Sequence, residues 1–217
     1  MPPAADAGLL ALLLTTLEAL ATLAFALSGL LAAARKRLDA VGVCVVAGLA
    51  AFGGGTLRDV LLDRRPFFWV EHASWLWGVL ALCIVAMLLL RARHFAPTER
   101  AMQWPDALGL GLFSAGGTQV ALAQGLPAIV AVLMGVVTAA FGGVLRDIVC
   151  NEIPSAFHDH RPYAVCAFAG GWVLVALLAL GLPEGAAVLA GAATASGLRV
   201  LALLLDWRLP RWSPGPD

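Results

Sequence analysis

Three arginines stand inside stretches of this chain that are otherwise too apolar to hold a charge: Arg58, Arg146 and Arg199. Arg58 and Arg146 share a setting. Each is followed by an aspartate, Asp59 or Asp147, and preceded by glycines, Gly53-Gly54-Gly55 (then Thr56) or Gly142-Gly143. At 1.5 Å rise per residue each lies about 10 Å from the centre of its apolar stretch, inside a hydrocarbon half-thickness of about 15 Å. An unpartnered charge at that depth costs at least ~2.5 kcal/mol, so such a residue either serves a function or snorkels to the nearer interface. Consecutive glycines weaken a helix by about 1 kcal/mol each relative to alanine. They permit close helix packing in lipid, or they mark a broken or kinked helix whose freed backbone lines a water-filled path. The second reading makes a site, and the two can coexist. Neighbours at i,i+1 diverge on a helix, so Asp59 and Asp147 are expected to face away from their arginines. Partners are then sought across the molecule, Arg58 in the second half of the chain and Arg146 in the first. Held by carbonyls or carboxylates, the two arginines read as gate elements at opposite ends of one path.

Other intramembrane polar residues are candidates for a pore or vestibule: Glu18, Thr22, Ser28, Ser114, Thr118, Gln119 and Thr138. Glu18 allows two positions. It is buried on one face with Thr15 and Thr22, or it lies near the outer interface, as its repeat match to Asp106 favours. Arg199 is close enough to the end of the last apolar stretch to snorkel towards Asp206. Cys44, Cys83, Cys150 and Cys166 sit in apolar runs and read as small hydrophobic filler. His158-Asp159-His160 has no further ligand at metal-site spacing and reads as a polar loop. No metal or cofactor is expected. There is no GxSxG, HExxH or P-loop and only one tyrosine, so no nucleophile stands with a base and the chain does not read as an enzyme.

These residues must be positioned by membrane helices. Of 217 residues 61% are hydrophobic and 13% charged, with a mean hydropathy of +0.88. So little charge cannot cover a water-exposed surface, since soluble domains carry roughly 25%. A formal net charge of zero argues against nucleic acid. Seven stretches approach the ~20 apolar residues of a spanning helix: 9–34, 40–62, 73–90, 106–123, 127–150, 163–182 and 184–205. The first seven residues lack the basic n-region of a signal peptide, so the first stretch is expected to be retained. Trp69, Trp75, Trp77, Trp104, Trp207 and Trp212 fall near span ends, as interfacial tryptophans do. With seven alternating spans, Arg35, Lys36, Arg37, Arg91, Arg93, Arg100, Arg161, Arg208 and Arg211 share one side, against Arg64 and Arg65 on the other. The positive-inside rule then puts the N-terminus outside and the C-terminus in the cytoplasm.

The chain also repeats itself. Gly54-Gly55-Thr56-Leu57-Arg58-Asp59-Val60 recurs as Gly142-Gly143-Val144-Leu145-Arg146-Asp147-Ile148, 88 residues later. In the same register Glu18-Ala19-Leu20 meets Asp106-Ala107-Leu108, Phe25 meets Phe113, Gly29 meets Gly117 and Pro66 meets Pro154. An odd number of spans per unit inverts the second copy. The expected fold is all-α: residues 1–94 form one three-helix repeat, 95–182 an inverted second one, and 183–217 a seventh transmembrane helix with a cytoplasmic tail.

The paired GG-x-L-R-D motifs, with Phe25-Ala26-Leu27-Ser28-Gly29 and Pro154, resemble the prokaryotic branch of the trimeric intracellular cation channel (TRIC) family over nearly the whole chain. The resemblance implies a homotrimer in the bacterial inner membrane. It also implies an ion path in each protomer lined by kinked second and fifth helices, and permeation of monovalent cations, chiefly K+ with Na+ as the other candidate. Animal members carry a Lys-Glu-Val element where glycines stand here, so their lipid regulation is not implied for this chain, and membrane lipid is an expected partner. Some bacterial proteins with these motifs are linked to uptake of small amino acids such as glycine, which keeps a secondary transporter open. A cysteine placed at Ala5 should react with an impermeant thiol reagent from outside and one at Pro214 only from inside; labelling of both from one side would mean an even number of spans.

Overall fold

The computed structural model describes residues 4–89 and 99–210, which form nine α-helices and no strand. These are α1 (Ala4–Arg35), α2 (Ala40–Leu61), α3 (Phe68–Glu71), α4 (Ser74–Leu89), α5 (Glu99–Ala123), α6 (Ala128–Val149), α7 (Ser155–His158), α8 (Ala164–Ala179) and α9 (Glu184–Leu204). Helices α3 and α7 are single turns. Four helices are long and apolar enough to cross a membrane: α1 from Gly8, α2, α6 and α9. Helices α4 and α8 are equally apolar but 16 residues long, shorter than expected for their stretches. Arg91, Arg93, Arg211, Trp212 and Pro214 lie outside the described residues.

Turn chemistry sets the helix ends. Asp39 caps α2 by accepting from the Gly42 N–H at 2.8 Å. Gly125 and Gly181, at φ +77° and +80°, end α5 and α8 in the left-handed conformation that glycine adopts without strain. Pro127 and Pro183 then open α6 and α9.

Helix α5 departs most from its expectation. It begins at Glu99, not 106, and carries Pro105 inside. Its composition is also the least membrane-like, with Gly109, Gly111, Ser114, Gly117, Thr118 and Gln119 all buried. The reason is its position: α1, α6, α8 and α9 pack around it, so it meets protein on most sides and little lipid. A helix so enclosed needs small residues for close approach more than it needs an apolar exterior.

The expected break in the second and fifth spans is absent: α2 and α6 run as continuous helices through their glycines. The glycines serve the crossing of these two helices. A Cβ on Gly54 would lie 2.0 Å from the Thr138 carbonyl oxygen, and one on Gly142 would lie 2.3 Å from that of Ala50. Ala50 and Gly54 are the partners of Thr138 and Gly142 in the 88-residue register, so each contact repeats the other and the helices cross antiparallel. The α1–α2 packing has the same echo. Gly29 fits against Ala47, and Gly117 against Gly135 in α5 and α6.

Antiparallel packing separates the charged helix ends. At one end Arg35 pairs with Glu152, beside a Lys36–Glu152 contact of 2.8 Å and an Arg35–Glu99 contact of 3.7 Å. There too Arg161 meets Asp206 at 2.5 Å and Asp159 at 2.9 Å. The hydrogen bond to Asp206 comes first among the causes that raise Arg161, and it holds the Asp206 carboxyl below its ordinary range. A depressed carboxyl keeps its contribution above its unfolded pKa and loses it as pH falls through the folded one, so this contact persists near neutrality. At the opposite end Arg64 approaches Glu71 at 3.7 Å, and Gln119 Nε2 donates to Glu184 at 3.4 Å.

Gly54→Ala should lower stability by about 2 kcal/mol or more, because its methyl meets backbone that cannot step aside. Gly48→Ala, with nothing within 4 Å of the new Cβ, should be neutral or stabilising by up to ~1 kcal/mol. Thermal melting of the purified protein in detergent compares the two, and equal effects would mean the α2–α6 crossing is loose.

Candidate functional site

Four residues beyond each glycine contact, the antiparallel helices carry Arg58 and Arg146 to opposite ends of the crossing, about 18 Å apart along the axis at 1.5 Å per residue. Both are buried, at 0% and 1% exposure. Neither snorkels.

Arg58 donates from Nη1 to Glu18 Oε1 at 2.6 Å and from Nε to Asp59 Oδ1 at 2.8 Å. The other Asp59 oxygen accepts the Phe68 backbone N–H at 2.8 Å, which anchors α3 to the end of α2. Arg64 comes within 3.9 Å of Asp59 from the rim. Arg146 repeats the pattern: Nη1 donates to Asp106 Oδ1 at 2.5 Å and Nε to Asp147 Oδ1 at 2.7 Å. The second Asp147 oxygen accepts the Ser155 N–H at 2.8 Å, so α7 is held to α6 as α3 is to α2. Each guanidinium thus meets two carboxylates, one from the neighbouring residue and one from a helix 40 positions earlier.

The geometry corrects two sequence expectations and gives Glu18 its partner. Asp59 and Asp147 do bond their adjacent arginines, because a long arginine side chain folds back beside its helix although the Cβ directions diverge. The arginines pair within their own halves and do not exchange across the axis. Of the hydrogen bonds described for Arg58 and Arg146, one crosses between the halves, from Arg146 Nη1 to Ser28 Oγ at 2.6 Å, and that hydroxyl in turn donates across to the Met102 carbonyl at 3.1 Å. Glu18 is enclosed by protein, its side chain 13% exposed and lying against Arg58, as Asp106 lies against Arg146.

The remaining candidates separate. Thr22, Thr56 and Thr138 return their hydroxyls to carbonyls one turn back, and Ser114 donates to Ala167 in α8. Thr56 also accepts from Trp69 Nε1 at 3.0 Å. Thr118 Oγ1 and Gln119 Oε1 are buried without a hydrogen-bond partner among the described residues. Arg199 does not reach Asp206. It donates to the Pro162 carbonyl at 3.1 Å and to Asp159 at 3.4 Å, with its guanidinium 4.9 Å above the Tyr163 ring.

Tyr163 and Phe68 were not singled out from the sequence. Tyr163 is 3% exposed and sits between Arg199 and the Arg146 cluster. Phe68 lies 5.4 Å from Arg58 Cζ. The repeated prolines, Pro66 and Pro154, were the available signal, since each stands within two residues before the one-turn helix its aspartate anchors. Beyond the Arg146 cluster a cavity of about 540 Å³ is lined by Met102, Asp147 and Ser155, and further out by charged residues including Arg35, Glu152 and Arg208.

Comparison with known proteins agrees with this geometry. The family model described as Glycine transporter matches residues 15–91 and again 103–179, so both ends of the second match lie 88 residues after those of the first. A UPF0126 membrane protein of Vibrio cholerae is 34% identical over 93% of this chain and 83% of its own length. The UPF0126 inner membrane protein YadS of Escherichia coli K12 is 32% identical over 91% of this chain and 95% of its own. Among solved structures, the TRIC trimeric intracellular cation channel orthologue from Rhodobacter sphaeroides superposes with a TM-score of 0.82 at 34% identity, covering 89% of this chain and 98% of that one. A prokaryotic TRIC channel in 0.5 M KCl gives 0.83 at 25% identity, covering 91% and 99%.

Removing one carboxylate strands a buried guanidinium. Asp106→Ala and Glu18→Ala should each cost about 3–5 kcal/mol, whereas Arg146→Met with Asp106→Leu together should cost less than the sum of the two single changes. Thermal melting of the singles and the double checks this, and additive losses would show that the pair is not coupled.

Proposed function

The chain belongs to the bacterial TRIC channel family, whose model is described as Glycine transporter, and on that premise we propose that it conducts monovalent cations, chiefly potassium, through a path in each protomer of a homotrimer. The reading includes seven spans, α1, α2, α4, α5, α6, α8 and α9, in two inverted three-helix repeats plus α9, in the bacterial inner membrane with the N-terminus outside. Nine basic residues against two support that orientation. So does the segregation of the Arg35–Glu152 and Arg161–Asp206 contacts from the Arg64–Glu71 contact. The antiparallel α2–α6 crossing and the doubled family match support the inverted repeat.

The observation that carries the reading is the pair of carboxylate–arginine–carboxylate clusters. A positive charge on an ion path repels cations unless it is neutralised. Here each buried guanidinium is met by two carboxylates, so the clusters hold a cation-tolerant field at both ends of the α2–α6 crossing. Arg58, Asp59, Arg146 and Asp147 act as gate charges. Gly53, Gly54 and Gly142 let the lining helices approach closely enough for the two ends to couple, while Gly55 and Gly143 make room beside the two clusters.

A carrier of a small amino acid such as glycine is the second reading. The description of the matching family model favours it, as does a cavity that reaches only the Arg146 cluster among those described. Purified protein in planar bilayers under a potassium gradient separates the two. Unitary current steps selective for K+ over Cl⁻ are expected; saturable flux of glycine without steps would replace the channel by a carrier. Neutralising Arg58 or Arg146 to alanine should change open probability or its voltage dependence. A charge crossing the full field is worth about 2.3 kcal/mol per 100 mV, and wild-type gating in both mutants would move the gate elsewhere.

A further inference from the structure

The two clusters repeat in their ion pairs but not in what covers them. At the Arg58 end the cover is an aromatic ring. Phe68 is fully buried and lies over Arg58, with its edge against Gly55, where a Cβ would sit 2.4 Å from Phe68 Cε1. Its ring meets Phe113 edge-on at 6.4 Å, and Phe113 stacks on Phe25 at 5.6 Å. Phe25 and Phe113 are partners in the 88-residue register, so Phe68 extends an aromatic stack made by both halves.

At the Arg146 end no phenyl ring takes that place among the described residues; the ring that comes nearest Gly143 is that of Tyr163, which presents its hydroxyl. The residue matching Phe68 is Ala156 by register, or Ser155 by its N–H bond to Asp147, and either is small. Above Gly143, the partner of Gly55, a Cβ would meet the Tyr163 hydroxyl at 3.3 Å and Asp106 Oδ1 at 3.4 Å, both polar. The cavity of about 540 Å³ opens there onto Asp147 and Ser155.

We propose that Phe68 is the gate at the Arg58 end, an apolar plug seated on Gly55, and that the Arg146 end, faced by polar groups, stays hydrated. The proposal rests on the ion-path reading above. A cation entering from the cavity can keep oxygen ligands as far as the Arg146 cluster, but it must shed water to pass the Phe68 ring, and apolar constrictions close pores by dewetting. Opening requires the ring to leave Gly55. The Asp59 bond to the Phe68 N–H holds the backbone of α3, so the ring leaves by rotation of the Phe68 side chain.

The test uses the full chain in proteoliposomes and a cysteine at Thr22, one turn deeper than Glu18 on α1 and 1% exposed. A membrane-impermeant, positively charged methanethiosulfonate is added from the Arg58 side, and the unsubstituted chain serves as the blank. Phe68→Ala should raise the labelling rate of Thr22→Cys about tenfold or more and increase potassium conductance, while Phe68→Leu, still an apolar plug, should change both little. Gly55→Ala, which pushes the ring off its seat without deleting it, should raise labelling in the same direction. An unchanged rate in whichever of Phe68→Ala and Gly55→Ala folds, judged by its elution volume, overturns the plug. Labelling that depends on Phe68 in a protein without potassium current keeps the plug and removes the channel reading instead.

Discussion

A guanidinium inside a membrane protein needs carboxylates to balance its charge, and much of this structure is arranged around supplying them to Arg58 and Arg146. Arg58 and Arg146 each need a carboxylate from another helix, which fixes α1 against α2 and α5 against α6. Each also engages the adjacent aspartate, whose second oxygen anchors a one-turn helix. One pair of ions therefore sets the packing of two long helices and the path of the chain that follows them. Hydrophobic burial cannot supply this specificity, because lipid is as apolar as the helix surfaces it would leave. Hydrogen bonds and close backbone approach must.

Close approach is the task of the glycines. At Gly54 and Gly142 the neighbouring helix presents a carbonyl oxygen where a Cβ would stand. Helices α2 and α6 are thereby locked at one crossing point, from which the two arginine clusters lie at equal distances in opposite directions. Gly55 and Gly143 come next along each helix, and the two halves diverge there: one glycine seats an aromatic ring, the other faces a hydroxyl and a carboxylate. A duplicated frame has been given unlike ends.

Helix α9 braces the two ends unequally, with Glu184 meeting Gln119 at one and most of its charged contacts at the other. Arg199 of α9 backs the Tyr163 ring and holds Asp159, while Asp206, just past α9, holds Arg161. The loop between α7 and α8, which borders the cavity, is thus tied to α9. The corresponding loop at the Arg58 end has no such helix and relies on aromatic contacts among Phe52, Phe68, Trp69 and Trp75.

Much of this protein was legible in its residues alone. Composition requires a membrane, because so little charge cannot cover a wet surface. The 88-residue register requires a duplicated frame, because side-chain types, glycines and prolines recur without a gap. The pairs Arg58-Asp59 and Arg146-Asp147 were visible as the costly residues. Their partners were not. Periodicity reports which way a Cβ points, and on that ground the adjacent aspartates seemed excluded; a side chain with four rotatable bonds reaches where its Cβ does not aim. The glycines looked able to break α2 and α6, since a weak helix former carries the same local signal whether the helix bends or another helix presses against it. Only the tertiary structure tells those apart, by placing the carbonyls of Ala50 and Thr138 where a side chain would have been. It alone also sets Phe68 over Arg58 and leaves small residues at the other end, because what covers a site depends on where a short connection returns, and no spacing in the sequence records that.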